Sequence, residues 1–183
     1  WGSPADAAKS GYVPYGTRLL PAKLQSKLRG WEREDGKDGD SASTYSGKTK
    51  HYQLRTNVPR HIVELEIKPF LDALYETYVA TFRERFGLEG KGTNFKSVRI
   101  YNGFLDYHRE TQRPRGNPGY IVNSSDLHML YEDADPGHFY KTAFHEGAHQ
   151  FFGGLMPGAA LPTWLTEALA TYFEACSYSR ATR

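Results

Sequence analysis

Cysteine is almost absent from this chain of 183 residues. Cys176 is the only one, so no disulfide can close within the chain, and it reads as a small buried side chain of the last helix. Long apolar runs are missing too: nowhere do about 18 such residues follow one another, the length that reads as a membrane span. No signal-peptide pattern opens the chain, which starts at Trp1 and reads as a processed or excised product. Charge of one sign is also lacking. The formal net charge is only +2, the basic residues are scattered, and no nucleic-acid motif accompanies them, which leaves no electrostatic case for a polyanionic partner.

Apolar character is plentiful by contrast. Hydrophobic residues make up 39% of the chain, enough for one sizeable core. Residues 1 to 50 stand apart, rich in Gly, Ser, Lys and Asp, with a low-apolar stretch from Glu32 to Lys50. Such a composition offsets little of its ordering entropy, so this part reads as an N-terminal appendage, partly loop, with Tyr12, Tyr15, Leu19, Leu20, Leu24, Leu28 and Trp31 available to dock it. Its acidic cluster Asp35, Asp38 and Asp40 does not make an EF-hand, because a loop begun at Asp38 has Ala42 at the fifth position. Residues 51 to 183 then form the main domain.

The chemistry gathers in His145-Glu146-Gly147-Ala148-His149 and, further on, Glu167. In a helix expected over residues 138 to 152, His145 and His149 stand one turn apart on one face, where two imidazoles can grip one Zn²⁺. Glu146 lies about 100° round that helix, a position suited to holding a water as general base rather than to ligation. A catalytic zinc takes three protein ligands and leaves a fourth place to water. Glu167 supplies the third: a turn at Gly153-Gly154, a loop ending at Pro162 and a second helix bring it back beside the first. Gly147 sits mid-helix at a cost of about 1 kcal/mol relative to alanine, which implies that something packs closely there.

The motif His145-Glu146-Gly147-Ala148-His149-Gln150 followed by Trp164-Leu165-Thr166-Glu167-Ala168-Leu169-Ala170-Thr171-Tyr172-Phe173-Glu174 resembles the gluzincin metallopeptidases. Within that clan it looks most like the peptidase-MA-like family DUF1570, and the Trp164-Leu165 and Tyr172-Phe173-Glu174 parts are similar to M1 aminopeptidases. The resemblance implies an α+β zincin-like domain: a small mixed sheet packed by a long helix and the HExxH helix, followed by a Glu-bearing helix. It also implies one Zn²⁺ per chain on His145, His149 and Glu167, a peptide or protein substrate and an exported protein, periplasmic or extracellular; residues 119 to 131 lack the acidic motif with which M1 enzymes select free N-termini, which leans toward endopeptidase action or an undefined specificity. In the gluzincins a strand bordering the cleft pairs with bound peptide, and the residues in that place are Gly119, Tyr120, Ile121, Val122 and Asn123, an edge open to substrate or covered by the N-terminal segment. Glu174, two turns after Glu167, either orients a zinc-bound histidine or is a solvated charge. An oxyanion donor has no motif position; Tyr120, His138, Tyr172 and Tyr178 are the substitutes to consider.

Other elements follow from pattern. His51 to Thr56 alternates like a strand, and Asn57 is placed to cap a long helix from Val58 to Phe86, with Pro69 as a kink. Glycines from Gly87 to Gly92 read as a turn. Phe95 to Tyr101 is a second strand, residues 102 to 110 a short helix, and the runs 119–123 and 126–131 a hairpin. In the second motif helix, Trp164, Leu165, Ala168, Leu169, Tyr172 and Phe173 are expected to face the core or the first. Two readings of the whole stand side by side, a zinc-dependent peptidase using Glu146 and a non-catalytic zinc-containing domain that binds peptide or serves structure. The retained Glu146 favours the first, since a held metal needs no base beside it.

Overall fold

A computed structural model describes residues 9–15, 18–35, 45–87, 96–123, 125–156 and 161–178. The chain divides into two compact units, Trp1–Ser43 with Pro59–His61, and Thr44–Val58 with Ile62–Arg183. No helix among the described residues is long and apolar enough to cross a membrane.

In the smaller unit β1 (Tyr12–Tyr15) and β2 (Arg18–Pro21) form an antiparallel pair in which Val13 lies opposite Leu20. A short 3₁₀ turn leads into α1 (Gln25–Asp35). Glu32 to Asp35, expected in a loop, thus complete a helix. Asp38 and Asp40 lie outside the described residues, as do positions 88 to 92 of the expected glycine turn.

The larger unit has an α+β architecture. Five strands, β3 (Tyr45–Lys48), β4 (Tyr52–Thr56), β5 (Lys96–Asn102), β6 (Gly119–Val122) and β7 (Asp126–Tyr131), lie in the order β3-β4-β5-β7-β6. The central β4, β5 and β7 are parallel, and the outer β3 and β6 run antiparallel to their neighbours. Residues 45 to 48 carry too little apolar character to read as a strand, yet pairing with residues 53 to 56 satisfies their backbone.

Alternation assigns the two faces. Tyr52, Leu54, Val98, Ile100, Leu127, Met129 and Tyr131 point to one face and are buried. That face is covered by α2 (Lys68–Phe86) and α4 (Pro136–Leu155), which share one core with it. From α2 come Phe70, Leu71, Leu74, Tyr78 and Phe82, and from α4 come Phe139, Ala143, Phe144, Ala148, Phe151 and Phe152. A short helix, α3 (Phe104–Thr111), follows β5, and α5 (Thr163–Glu174) follows α4.

The long helix departs from expectation at its start. Asn57 caps nothing: its amide donates to Asp106 and its carbonyl oxygen accepts from the backbone of Asn102, tying β4 to β5 and α3. A π-helical stretch, Val63–Ile67, precedes α2 and places Pro69 in the first turn, where its missing N–H leaves no helical bond unmade. The wider π turn shifts the apolar phase, so that Glu66 is buried while Leu65 beside it is only half-buried.

Candidate metal centre

The helix carrying the two histidines is anchored from three directions. At its start Asp135 accepts a hydrogen bond from the backbone of His138 at 3.1 Å, and Pro136 occupies the first turn, a pairing of cap and proline that favours initiation there. Midway, the buried Tyr78 hydroxyl donates to the carbonyl of Phe144 at 2.8 Å, with that of Ala143 at 3.3 Å. Beyond His149, the Gln150 amide donates to the backbone oxygens of Ser97 and Ser125, pinning the helix to β5 and to the β6–β7 turn. The helix runs through Gly153 and Gly154 to Leu155 rather than turning there, because its C-terminal stretch still has Phe151 and Phe152 to bury.

Gly147 is the reason Tyr78 can reach. A Cβ at that position would stand 2.8 Å from the Tyr78 hydroxyl and 3.3 Å from Leu74. The Tyr78 ring is wedged against Phe151 and Phe173 and cannot swing away. Gly147→Ala is therefore expected to lower the stability of the chain by about 1 to 3 kcal/mol despite the gain in helix propensity. Urea denaturation of Gly147→Ala with and without Tyr78→Phe checks this. Removing the hydroxyl should recover part of the loss, and equal losses in both backgrounds would show that the contact is not what limits position 147.

On the exposed side of α4, His145 and His149 stand with ring centroids 5.1 Å apart. Their Nε2 atoms each lie 3.5 Å from Glu167, His145 from one carboxylate oxygen and His149 from the other. One ligand atom from each of the three residues falls within 4.8 Å of the others. Tetrahedral donors about 2.1 Å from a zinc ion stand about 3.4 Å from one another, so the imidazole-to-carboxylate spacing suits such an ion. The donor set, two imidazoles and one carboxylate, suits zinc as well.

Glu174 takes part in the same cluster. Its carboxylate is 3.2 Å from His145 Nδ1, so a proton on Nδ1 is donated to Glu174 and leaves the Nε2 lone pair turned toward Glu167. Burial, the larger influence, pulls the pKa of His149 down, with Glu167 acting in the opposite sense. That shift favours the neutral ring, the form in which it can ligate.

Glu146 packs against the start of β6, and its carboxyl feels the charges of His145 and Glu167. A Cβ on Gly119 would meet Thr142 at 2.5 Å and Glu146 Cγ at 3.0 Å, so a glycine is needed for the strand to lie this close to the helix. Burial raises the Glu146 carboxyl pKa, opposed by His145 and assisted by Glu167. β6 is an edge strand, and since Pro118 accepts from Leu130 in register, the backbone groups of Gly119 and Ile121 point to the free edge. The expected strand stops one residue earlier than the sequence implied: Asn123 has φ 51° and belongs to the hairpin turn.

Several sequence expectations are corrected around the site. On α5 only Ala170 and Phe173 are buried, while Trp164 is 70% and Tyr172 52% exposed, and Ala168 is exposed; Leu169 packs at the margin of the core and Tyr172 lies edge-on to Phe173. Cys176 follows the last helix instead of lying in it. Among the four substitutes for an oxyanion donor, Tyr120 points to the opposite face of the sheet, Tyr178 packs on Phe70 and Tyr140, and His138 is exposed at the start of α4. Both Tyr78 and Gln150 hold the helix in place; Tyr78 carries no motif and was announced only by the glycine at 147, and Gln150 was read only as the end of the motif.

Compared with protein-family models, with curated proteins and with solved structures, the chain matches none. The resemblance to gluzincins and to DUF1570 therefore rests on the motif residues themselves. What the fold and site define is a class: an α+β domain with a His-His-Glu group that could hold a metal ion.

Proposed function

We propose that this chain is a zinc-dependent peptidase of gluzincin type, acting within extended chains, with His145, His149 and Glu167 holding the metal and Glu146 as general base. The observation that carries this reading is the convergence of both Nε2 atoms on Glu167 while Glu146, on the same helix, lies within electrostatic reach of that group and against the first residue of the edge strand β6. When bound, zinc polarises a carbonyl and lowers the pKa of water. Glu146 takes the proton from the attacking water and delivers it to the leaving amine nitrogen. Its partly buried setting keeps the carboxyl pKa up, toward the range in which it can both accept and return a proton.

Glu174 keeps the His145 ring in one tautomer and orientation. The edge of β6 supplies the backbone groups of Gly119 and Ile121 to an extended substrate, placing its scissile bond beside Glu146, while the side chains of β6 alternate between helix side and open face. The three-ligand group is open to solvent at Glu167, whose side chain is 52% exposed, so a substrate carbonyl can approach.

Removing metal tests the reading directly. Hydrolysis of an unstructured protein such as casein should vanish after dialysis against a chelator and return on adding about one equivalent of zinc per chain. Hydrolysis that survives chelation, or none at all in zinc-loaded chain, would leave the metal group without a peptidase role.

A further inference from the structure

The strand register builds a second feature on the sheet face opposite α2 and α4. Arg55 lies opposite Arg99, Arg99 opposite His128, and His128 opposite Tyr120, a straight row across four strands. At about 4.8 Å per strand the row spans roughly 14 Å. Two guanidiniums side by side on neighbouring strands repel each other, and neither is relieved by a carboxylate: among the described residues Arg55, Arg99 and Arg113 form no ion pair, whereas Arg109 pairs with Asp106 and Arg115 with Glu132. The acidic groups felt here, Asp126 by His128 and Glu110 by Tyr101, bond to none of the three.

Hydrogen-bonding groups complete the surface. The Tyr101 hydroxyl is 2.9 Å and the Tyr120 hydroxyl 3.4 Å from His128 Nδ1. Arg113 lies over the Tyr120 ring, 4.7 Å from its centroid. Central parallel strands are ordinarily covered on both faces by apolar layers; here the second face alternates Gln53 and Arg55 on β4, and Ser97, Arg99 and Tyr101 on β5. Such a face is built to meet something polar.

We infer that this face, exposed at Arg55 and Arg113, half-buried at Arg99, His128 and Tyr120, and bordered by Tyr107 of α3, docks an acidic peptide segment. Three carboxylates on alternate residues of an extended chain span about 14 Å, the length of the row. A nucleic acid fits less well, because the aromatic faces it would stack on are taken: His128 packs against Tyr101 and Tyr120, and Arg113 covers Tyr120. The surface lies on the other side of the sheet from the histidine helix and does not depend on the metal reading.

The test uses the full chain and a fluorescein-labelled peptide of alternating Glu and Thr, titrated by anisotropy at about 50 mM salt, where screening is modest. Binding is expected, weakened at least tenfold in the Arg55→Gln/Arg99→Gln variant and again by Arg113→Gln. The double variant should melt no lower than wild type, because a like-charge pair has been removed. No binding by wild type, or equal binding by the double variant, overturns the proposal. Tighter binding of a single-stranded oligonucleotide of equal charge, lost in the same variant, overturns the assignment to acidic peptide in favour of nucleic acid.

Discussion

Glu146→Gln is expected to lower kcat/KM on an unstructured protein by a factor of about 10² to 10⁴, the usual worth of a positioned general base, while zinc stays bound at one per chain. The amide matches the carboxylate in size, so the close packing of the side chain against Gly119 is kept. It cannot accept the proton of water, and nothing else in the cluster is placed to do so: His145 and His149 direct Nε2 at Glu167, and Glu174 is engaged with His145 Nδ1. Kinetics and metal content measured on the same preparation separate loss of the base from loss of the site. Activity within about threefold of wild type, with zinc retained, would remove Glu146 from the mechanism.

Glu167→Ala should weaken zinc binding by more than about 100-fold, since changing only an outer partner of a ligand already costs 10- to 100-fold. The variant is informative because Glu167 is half-exposed and contributes nothing to the core. Surface truncations of this kind change stability by about 0.5 kcal/mol or less, so a lost metal cannot be blamed on a lost fold. Competition against a fluorescent zinc chelator, alongside a thermal melt, reads both. Unchanged affinity would mean that the third ligand is another group and that the approach of Glu167 to both imidazoles is an ordinary charge contact.

The site was legible largely because its geometry is local. A separation of four positions between His145 and His149 determines that they share a helical face, whatever the rest of the chain does. The return of Glu167 was readable from a loop ending in Pro162 and a second helix, although the first helix proved to run past Gly153 and Gly154. Gly147 announced a close neighbour, but not that the neighbour is Tyr78, which lies 69 positions earlier. Expected burial of Trp164 and Tyr172 failed because an apolar residue on a helix does not say which of its faces meets the core.

By itself, then, the sequence determined what repeats over one or two turns or along one strand: the paired histidines, the glutamate between them and the alternation of the β-strands. Only the tertiary structure decided which strands lie side by side and in what register. Arg55, Arg99 and His128 read as scattered charges and a lone histidine along the chain, because strand pairing joins positions far apart in sequence and is set by packing of the buried face. The same register brings Gly119 against Glu146, and so decides which edge of the sheet borders the metal group.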